Sequence, residues 1–187
     1  LLSPIFLMTI IAIYLESGRP IYFLQRRSSI KNGKEFFFIK FRSMVTNAEE
    51  LKTELWKNNE TDGALFKMKD DPRTTKVGKF IRKFSIDELP QLFNVLLGDM
   101  SLVGPRPLPI SDLERVEESE EFWDAVKDRA SVRPGMTGLW QVSGRSSIKF
   151  REMILLDLYY VENHSLLFDV EILFETIPTV LFGRGAY

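Results

Sequence analysis

Residues 81–92 read IRKFSIDELPQL, and this stretch organises the rest of the chain. Two adjacent acids, Asp87 and Glu88, stand in an apolar setting directly after a basic segment. Apolar residues at helical spacing predict a helix over residues 74–84 and a second short helix over residues 89–97. Neighbouring residues on a helix point about 100° apart, so the two carboxylates do not share one face. At the start of a helix, however, both could bind the same metal ion.

A helix cap is the competing interpretation of the same acids. Ser85-x-x-Glu88 matches a capping box. Pro90 argues against Ser85 as the cap, because the proline would then fall at the fifth helical position. With Asp87 as the cap, Pro90 lies in the first turn, where no donor is lost. The local pattern alone favours the cap at Asp87 over a catalytic acid, and it leaves both open.

Loops rich in glycine and proline follow the acids. Residues 98–107 read GDMSLVGPRP and fix Arg106 between two prolines, which suits bidentate contact with phosphate. Arg133 and Arg145 stand beside further glycines, which allow close backbone approach. Taken alone, each arginine is most simply explained as one partner of a surface ion pair. Together with the acids they indicate a phosphate and Mg²⁺ site, although no Walker or G-x-G-x-x-G sequence marks a nucleotide cradle.

The N-terminal stretch is uncharged. Residues 1–15 read LLSPIFLMTIIAIYL and make a helix of roughly 22 Å, whereas a bilayer core needs about 20 residues to span. A buried core helix, the tail of a spanning helix and a re-entrant membrane segment are the alternatives. Ser3-Pro4 favours the re-entrant segment, because proline breaks the helix and Ser can bond the freed carbonyls. Since the first residue is Leu, we expect an upstream part of a longer protein.

The remaining pattern predicts an α+β, mainly helical fold. Two β-prone runs, residues 20–24 and 36–41, flank an Asn32-Gly33 turn and indicate a hairpin. Further helices are expected over residues 48–57 after a capping box that starts at Thr46, and over residues 111–130, 148–160 and 166–182. We therefore expect a re-entrant membrane helix over residues 1–17. A cytoplasmic catalytic domain with Gly/Pro-rich loops would cover residues 18–187.

Composition excludes several classes of chemistry. The 187 residues include no Cys and a single His, His164, so disulfides, thiol nucleophiles, Cys-ligated zinc and two-His metal sites are excluded. The formal net charge is −1, which argues against a nucleic-acid partner held by bulk electrostatics. Any chemistry must come from carboxylates, Arg, Lys, Ser or Tyr.

The combined motifs resemble the bacterial sugar transferases, the monotopic polyprenyl-phosphate phosphoglycosyltransferases. Residues 71–91 and 98–107 carry most of the resemblance. Two segments, residues 71–76 and the C-terminal residues 182–187, are similar to the larger members of the family, which start exopolysaccharide, capsule or O-antigen units. Three more runs also fit, KFRSM at 40–44, RPGMTGL at 133–139 and SGR at 143–145, together with Asp157 in DLYY.

This resemblance implies a two-step reaction with UDP-sugar, undecaprenyl phosphate and Mg²⁺. Asp87 would attack the diphosphate, releasing UMP and keeping the phosphosugar, which undecaprenyl phosphate then removes. Glu88 would bind Mg²⁺, and Ser3-Pro4 would make the N-terminal helix re-entrant. The expected phosphate-binding residues are Lys40, Arg82, Arg106, Arg133 and Arg145.

The resemblance also implies membrane lipids as partners and a place on the cytoplasmic face of the bacterial inner membrane. The oligomeric state is left open, a homo-oligomer included, and no residue pattern identifies the sugar. The run QRRSS at 25–29 lacks a glycine that the family often has, so its arginines are left out of the predicted site. Two rival functions remain, a Mg²⁺-dependent phosphohydrolase and a catalytically inactive membrane-associated module.

Overall fold

The computed structural model describes residues 2–29, 33–60, 66, 68–116, 120–183 and 185 and confirms a mainly helical chain with little sheet. Its α-helices are α1 (Ser3–Ser17), α2 (Ala48–Leu55), α3 (Lys76–Lys83), α4 (Gln91–Leu96), α5 (Ile110–Val116), α6 (Glu120–Asp128), α7 (Leu139–Ser143), α8 (Phe150–Asn163) and α9 (Leu166–Leu181). Its strands are β1 (Tyr22–Ser28), β2 (Phe36–Phe41), β3 (Ser101–Val103), β4 (Leu108–Pro109) and β5 (Gly135–Thr137).

Helix α1 packs one face against the domain and leaves the other exposed. Phe6 and Ile13 contact a small core that includes Phe41 and Ile81. Pro4 lies in the first turn, where its missing N–H costs no helical bond. Across the described residues, no helix combines the length and the apolar character needed to cross a bilayer. The re-entrant turn stays a prediction.

The predicted hairpin is confirmed. Strands β1 and β2 pair antiparallel, with Tyr22 opposite Phe41 and Arg27 opposite Phe36, and β4 pairs with the free edge of β1. Every second residue of a strand faces the same side. Phe36 and Phe38 of β2 therefore both point inward and are buried, while Phe37 between them is exposed. Asn32 of the predicted turn lies outside the described residues, as do Arg184, Ala186 and Tyr187 of the C-terminal motif.

A second, parallel pair of strands brings two of the glycine loops together. Strand β3 pairs with β5, and the Gly104 and Gly135 backbones touch closely. A Cβ atom on Gly135 would lie 2.1 Å from the Gly104 nitrogen, so only glycine fits there. The Gly135 N–H donates to the Pro105 carbonyl, which fixes the loop that carries Arg106.

Several predicted helix boundaries are wrong. The capping box at Thr46 does not form, because α2 starts after Asn47, which makes no side-chain capping bond. The predicted helix over 48–57 ends as an α-helix at Leu55 and continues as the 3₁₀ turn Trp56–Asn58. Of the helix predicted over 111–130, the structure describes α5 and α6, while residues 117–119 lie outside the described residues. Helix α3 starts later than expected because Thr75 caps it, accepting from the Gly78 N–H.

Among the described residues, the apolar cluster with the most buried side chains joins β4, α5, α6 and α8. Leu113 of α5, Val126 of α6 and Ile154 of α8 are fully buried in it. A neighbouring cluster joins Val103 of β3 to Ile172 of α9. Val103 and Leu108 thus anchor the two ends of the loop that carries Arg106, while Ile86 of the turn between α3 and α4 packs against the cluster beside α1.

Candidate active site

The acid pair lies on a tight turn between two helices. Ser85 adopts the left-handed region with φ 54°, and the 3₁₀ turn Ile86–Glu88 follows it. Ser85 makes no capping hydrogen bond, and Pro90, not Asp87, directly precedes α4. The interpretation of Asp87 as a helix cap is therefore wrong. The left-handed residue stops α3 and turns the acids inward instead.

Glu88 is held by two cations. Lys40 Nζ lies 2.7 Å from Glu88 Oε1, and Arg106 Nη1 lies 3.2 Å from Oε2. Arg106 Nη2 also donates to Oε1. Burial alone would raise the pKa of Glu88, but the charges of Arg106 and Lys40 outweigh it and hold that pKa well below its ordinary range. The two cations therefore favour the carboxylate form of Glu88.

Asp87 has weaker support from cations, although it is the more buried of the two acids. Its Oδ2 lies 3.7 Å from Lys40 Nζ. Burial raises the pKa of Asp87, Lys40 opposes that rise, and the adjacent Glu88 charge adds to it. The two neighbouring carboxyls thus have pKa values moved in opposite directions, an arrangement typical of acids with different chemical roles.

A cavity of about 170 Å³ opens over the pair. Four cations and both acids line it, so the cations outnumber the carboxylates by two. Such an excess suits a dianionic or trianionic ligand such as a diphosphate. The charged lining residues are Lys40, Arg82, Asp87, Glu88, Arg106 and Arg145.

The structure brings most of the predicted phosphate-binding residues together. Arg82 reaches the cavity from α3 and donates to Thr74 Oγ1 at 3.1 Å. Arg145, with φ 51°, turns back from the 3₁₀ turn Arg145–Ser147 and donates to Ser85 Oγ. Burial lowers the pKa of its guanidinium, against the Glu88 charge. Arg133, by contrast, is exposed and does not line this cavity.

Asp157 lies behind the cavity and does not line it. It is 1% exposed and binds Arg129 through Nε at 2.8 Å and through Nη2. Arg129 Nη2 also donates to the Arg106 carbonyl at 2.8 Å. Asp157 therefore acts on the site through Arg129 and the backbone of Arg106. Ser3 and Pro4 lie at the start of α1, next to an apolar cavity lined by Leu2 and Ile5.

Three residues near the site were missed from the sequence. No sequence motif marks Arg129, because it lies near the end of the acidic segment 111–130, whose pattern is typical of a solvent-exposed helix. Arg27 was set aside, yet its guanidinium stacks 4.1 Å from the Phe38 ring centroid and donates to the Pro107 carbonyl at 2.9 Å. Gln141 lines the cavity, and its place four residues before Arg145 was the available signal.

The carboxylates suit Mg²⁺ only together with a ligand. Within the part of the chain that the structure describes, no three His, Cys, Asp or Glu side chains form a group able to hold a metal. Mg²⁺ commonly uses one or two carboxylates and completes its shell with waters and substrate phosphates. Asp87 and Glu88 match that donor set, so the site fits a metal that arrives with a phosphate ligand.

Comparison with known proteins gives a consistent picture. The model of the family described as "Bacterial sugar transferase" matches residues 1–183. "Galactosyl transferase CpsE" of Streptococcus agalactiae is 47% identical over 95% of this chain, which spans only 39% of that relative. "Exopolysaccharide production protein ExoY" of Sinorhizobium fredii is 42% identical over 100% of this chain and 81% of its own length. "Undecaprenyl-phosphate galactose phosphotransferase" of Salmonella typhimurium is 54% identical over 65% of this chain and 24% of its own length.

Proposed function

The chain belongs to the bacterial sugar transferase family, and on that premise we propose that it transfers a sugar 1-phosphate from a UDP-sugar to undecaprenyl phosphate. This reaction would start the assembly of an exopolysaccharide, capsule or O-antigen unit. The observation that carries the proposal is the unequal acid pair, with Glu88 bound by two cations and Asp87 left weakly paired at the same cavity. Relatives named for exopolysaccharide production and undecaprenyl-phosphate galactose transfer support it.

The first half-reaction uses Asp87 as the nucleophile. A carboxylate oxygen of Asp87 attacks the β-phosphorus of the UDP-sugar, and the bond from that phosphorus to the bridging oxygen breaks. UMP leaves with the electron pair, and the sugar phosphate stays on Asp87 as an acyl phosphate. The raised pKa of Asp87 makes its carboxylate more basic, and hence a stronger nucleophile, than that of Glu88.

The second half-reaction returns the enzyme to its starting state. A phosphate oxygen of undecaprenyl phosphate attacks the same phosphorus, and the bond to the Asp87 oxygen breaks. The product is an undecaprenyl diphospho-sugar, and Asp87 is a carboxylate again. Arg82, Arg106 and Arg145 supply the positive charge that both transfers need as negative charge moves across the phosphate oxygens.

Glu88, with Asp87 beside it, would hold Mg²⁺ together with the diphosphate oxygens. Bound there, the ion would supply further neutralisation of the phosphate charge. We expect UMP release to stop in EDTA and to return when Mg²⁺ is added in excess. Zinc is not expected to substitute, because the chain has no Cys and one His. Full activity in the chelator would contradict the metal's role.

We place this chemistry at the cytoplasmic face of the inner membrane, with α1 inserted in one leaflet and returning to the same side. Large apolar side chains on α1 and α9, among them Leu7, Leu15, Leu166 and Phe174, are exposed and would contact lipid. In the full-length protein, single Cys residues upstream of Leu1 and at Ser17 should both react only from the cytoplasm. Periplasmic labelling of the upstream site would mean a spanning helix.

The proposed activity is tested with a panel of UDP-sugars, each with and without undecaprenyl phosphate, by measuring UMP and lipid-linked sugar. A transferase gives a burst of UMP without lipid and turnover with it. Free sugar phosphate formed without lipid would favour the phosphohydrolase. No UMP from any donor would favour the inactive module.

A further inference from the structure

An apolar cavity of about 450 Å³ lies beside the active-site cavity. The first turn of α1, the turn between α3 and α4, and the last turns of α9 form most of its wall. The apolar side chains of that wall include Leu2, Ile5, Phe84, Leu89 and Val180. Nothing in the proposed chemistry so far uses this cavity.

The two cavities share a polar border. Glu88, Gln141 and Arg145 line both of them. Among the described residues, neither the Nε2 nor the Oε1 atom of Gln141 has a hydrogen-bond partner, and Arg145 Nη1 has none either, although all three atoms are buried. Leaving a buried donor without a partner is energetically unfavourable. Buried donors that lack a partner at the border between two cavities point to a ligand with oxygen acceptors.

We propose that the apolar cavity takes the first isoprene units of the lipid acceptor, while Gln141 Nε2 and Arg145 Nη1 bind the acceptor's phosphate at the border. This assignment rests on the proposed function and names the acceptor's binding site. A phosphate at the border would lie next to the cavity that contains Asp87, where the phosphosugar is expected.

The chemistry of the walls selects the lipid over the sugar nucleotide. A sugar or a uracil carries several donors and acceptors, and burying them against apolar walls without partners is costly. An isoprenoid chain has only apolar atoms, and its burial against apolar walls is favourable. Exposed apolar residues on the two wall helices, such as Leu7 and Leu181, offer a continuing surface for the rest of a long chain.

The sharpest test fills the cavity and leaves the active site alone. Val180→Phe puts a larger side chain into the cavity from α9. We expect the KM for undecaprenyl phosphate to rise about tenfold, equal to about 1.4 kcal/mol of binding, while the UMP burst without acceptor stays at the wild-type level. Val170→Phe is the matched control, since Val170 is on the same helix, is 38% exposed and does not line this cavity.

A second variant tests the border. Gln141→Ala should raise the KM for undecaprenyl phosphate, and Gln141→Asn should restore part of the affinity. An unchanged acceptor KM in both Val180→Phe and Gln141→Ala would overturn the assignment, and so would a UMP burst that Val180→Phe loses in step with acceptor turnover. A wild-type protein that releases no UMP would contradict the proposed function itself, so the two failures are distinguishable.

Discussion

Two buried arginine–carboxylate clusters lie close together in this fold and differ in one respect. At the active site, two cations meet on Glu88, while the closest ion pair that the described residues give the neighbouring Asp87 is the 3.7 Å contact with Lys40. Behind it, Arg129 and Asp157 form a one-to-one pair, each 1% exposed. The first cluster opens on a cavity, and the second is sealed.

In both clusters burial raises the pKa of the carboxyl, and the number of opposing cations decides the direction of the net shift. Burial raises the pKa of Asp157 to about 6 even though Arg129 opposes the rise. Burial acts on Glu88 in the same direction, yet two cations reverse its effect. A sealed pair therefore positions the backbone of Arg106, whereas the open cluster leaves Asp87 available for reaction.

The largest effect should come from removing the weakly paired acid. Asp87→Asn should reduce the UMP burst by at least about 1000-fold, because the amide cannot act as the nucleophile. UMP released on mixing with the correct UDP-sugar is the measurement. Asp112→Asn is the control, since Asp112 is equally buried but pairs with Lys52 outside the active-site cavity. A burst retained in Asp87→Asn would remove the chemical distinction between the clusters.

Next in size is a comparison of two arginines that look alike in sequence. Arg106→Gln should lower the rate of UMP release about 100-fold, because it removes charge from the cavity and one of the two cations on Glu88. Arg133→Gln should have an effect under about threefold, since Arg133 is exposed outside the cavity. Single-turnover rates measure both. Equal losses would mean that Arg133 reaches the substrate from its loop.

Breaking the sealed pair should affect stability first. Arg129→Met leaves Asp157 buried without its partner and should cost about 3–5 kcal/mol of unfolding free energy. Urea unfolding measures it. The double variant Arg129→Met with Asp157→Leu should recover most of the loss, because no buried charge remains. If the double variant is as unstable as the single one, the pair is not the cause.

The smallest effect is a pH dependence. The folded-state pKa of Asp157, about 6, lies above its ordinary 3.8, so the folded protein takes up this proton first. The contribution of Asp157 to stability therefore grows as the pH falls through 6. Between pH 7 and pH 5, wild type should gain about 1 kcal/mol relative to Asp157→Asn. A difference that does not change with pH would contradict the raised pKa.

The sequence indicated which residue types would gather at the cavity better than it indicated how the backbone would place them. Asp87, Glu88 and Arg106 stood out because acids and a proline-fixed arginine are rare in such patterns. Arg133 and Arg145 looked equivalent beside their glycines, but only the left-handed Arg145 turns into the cavity.

Local sequence patterns also failed to predict the backbone conformation at Ser85 and the residues that Arg129 and Gln141 meet in the folded chain. The helix cap at Asp87 failed because Ser85 takes a conformation that no local propensity predicts. Arg129 and Gln141 gain their roles only from partners or cavities that the folded chain brings close. The hairpin, in contrast, follows from two β-prone runs on either side of an Asn-Gly pair and was predictable.

The central claim is that Asp87 carries the phosphosugar. Intact-mass measurement of the protein after mixing with the correct UDP-sugar, without lipid acceptor, tests it most directly. We expect a mass increase equal to one sugar phosphate, located by fragmentation to the peptide that contains Asp87 and removed on adding undecaprenyl phosphate. UMP formation with no adduct, or with an adduct on another residue, would contradict the claim.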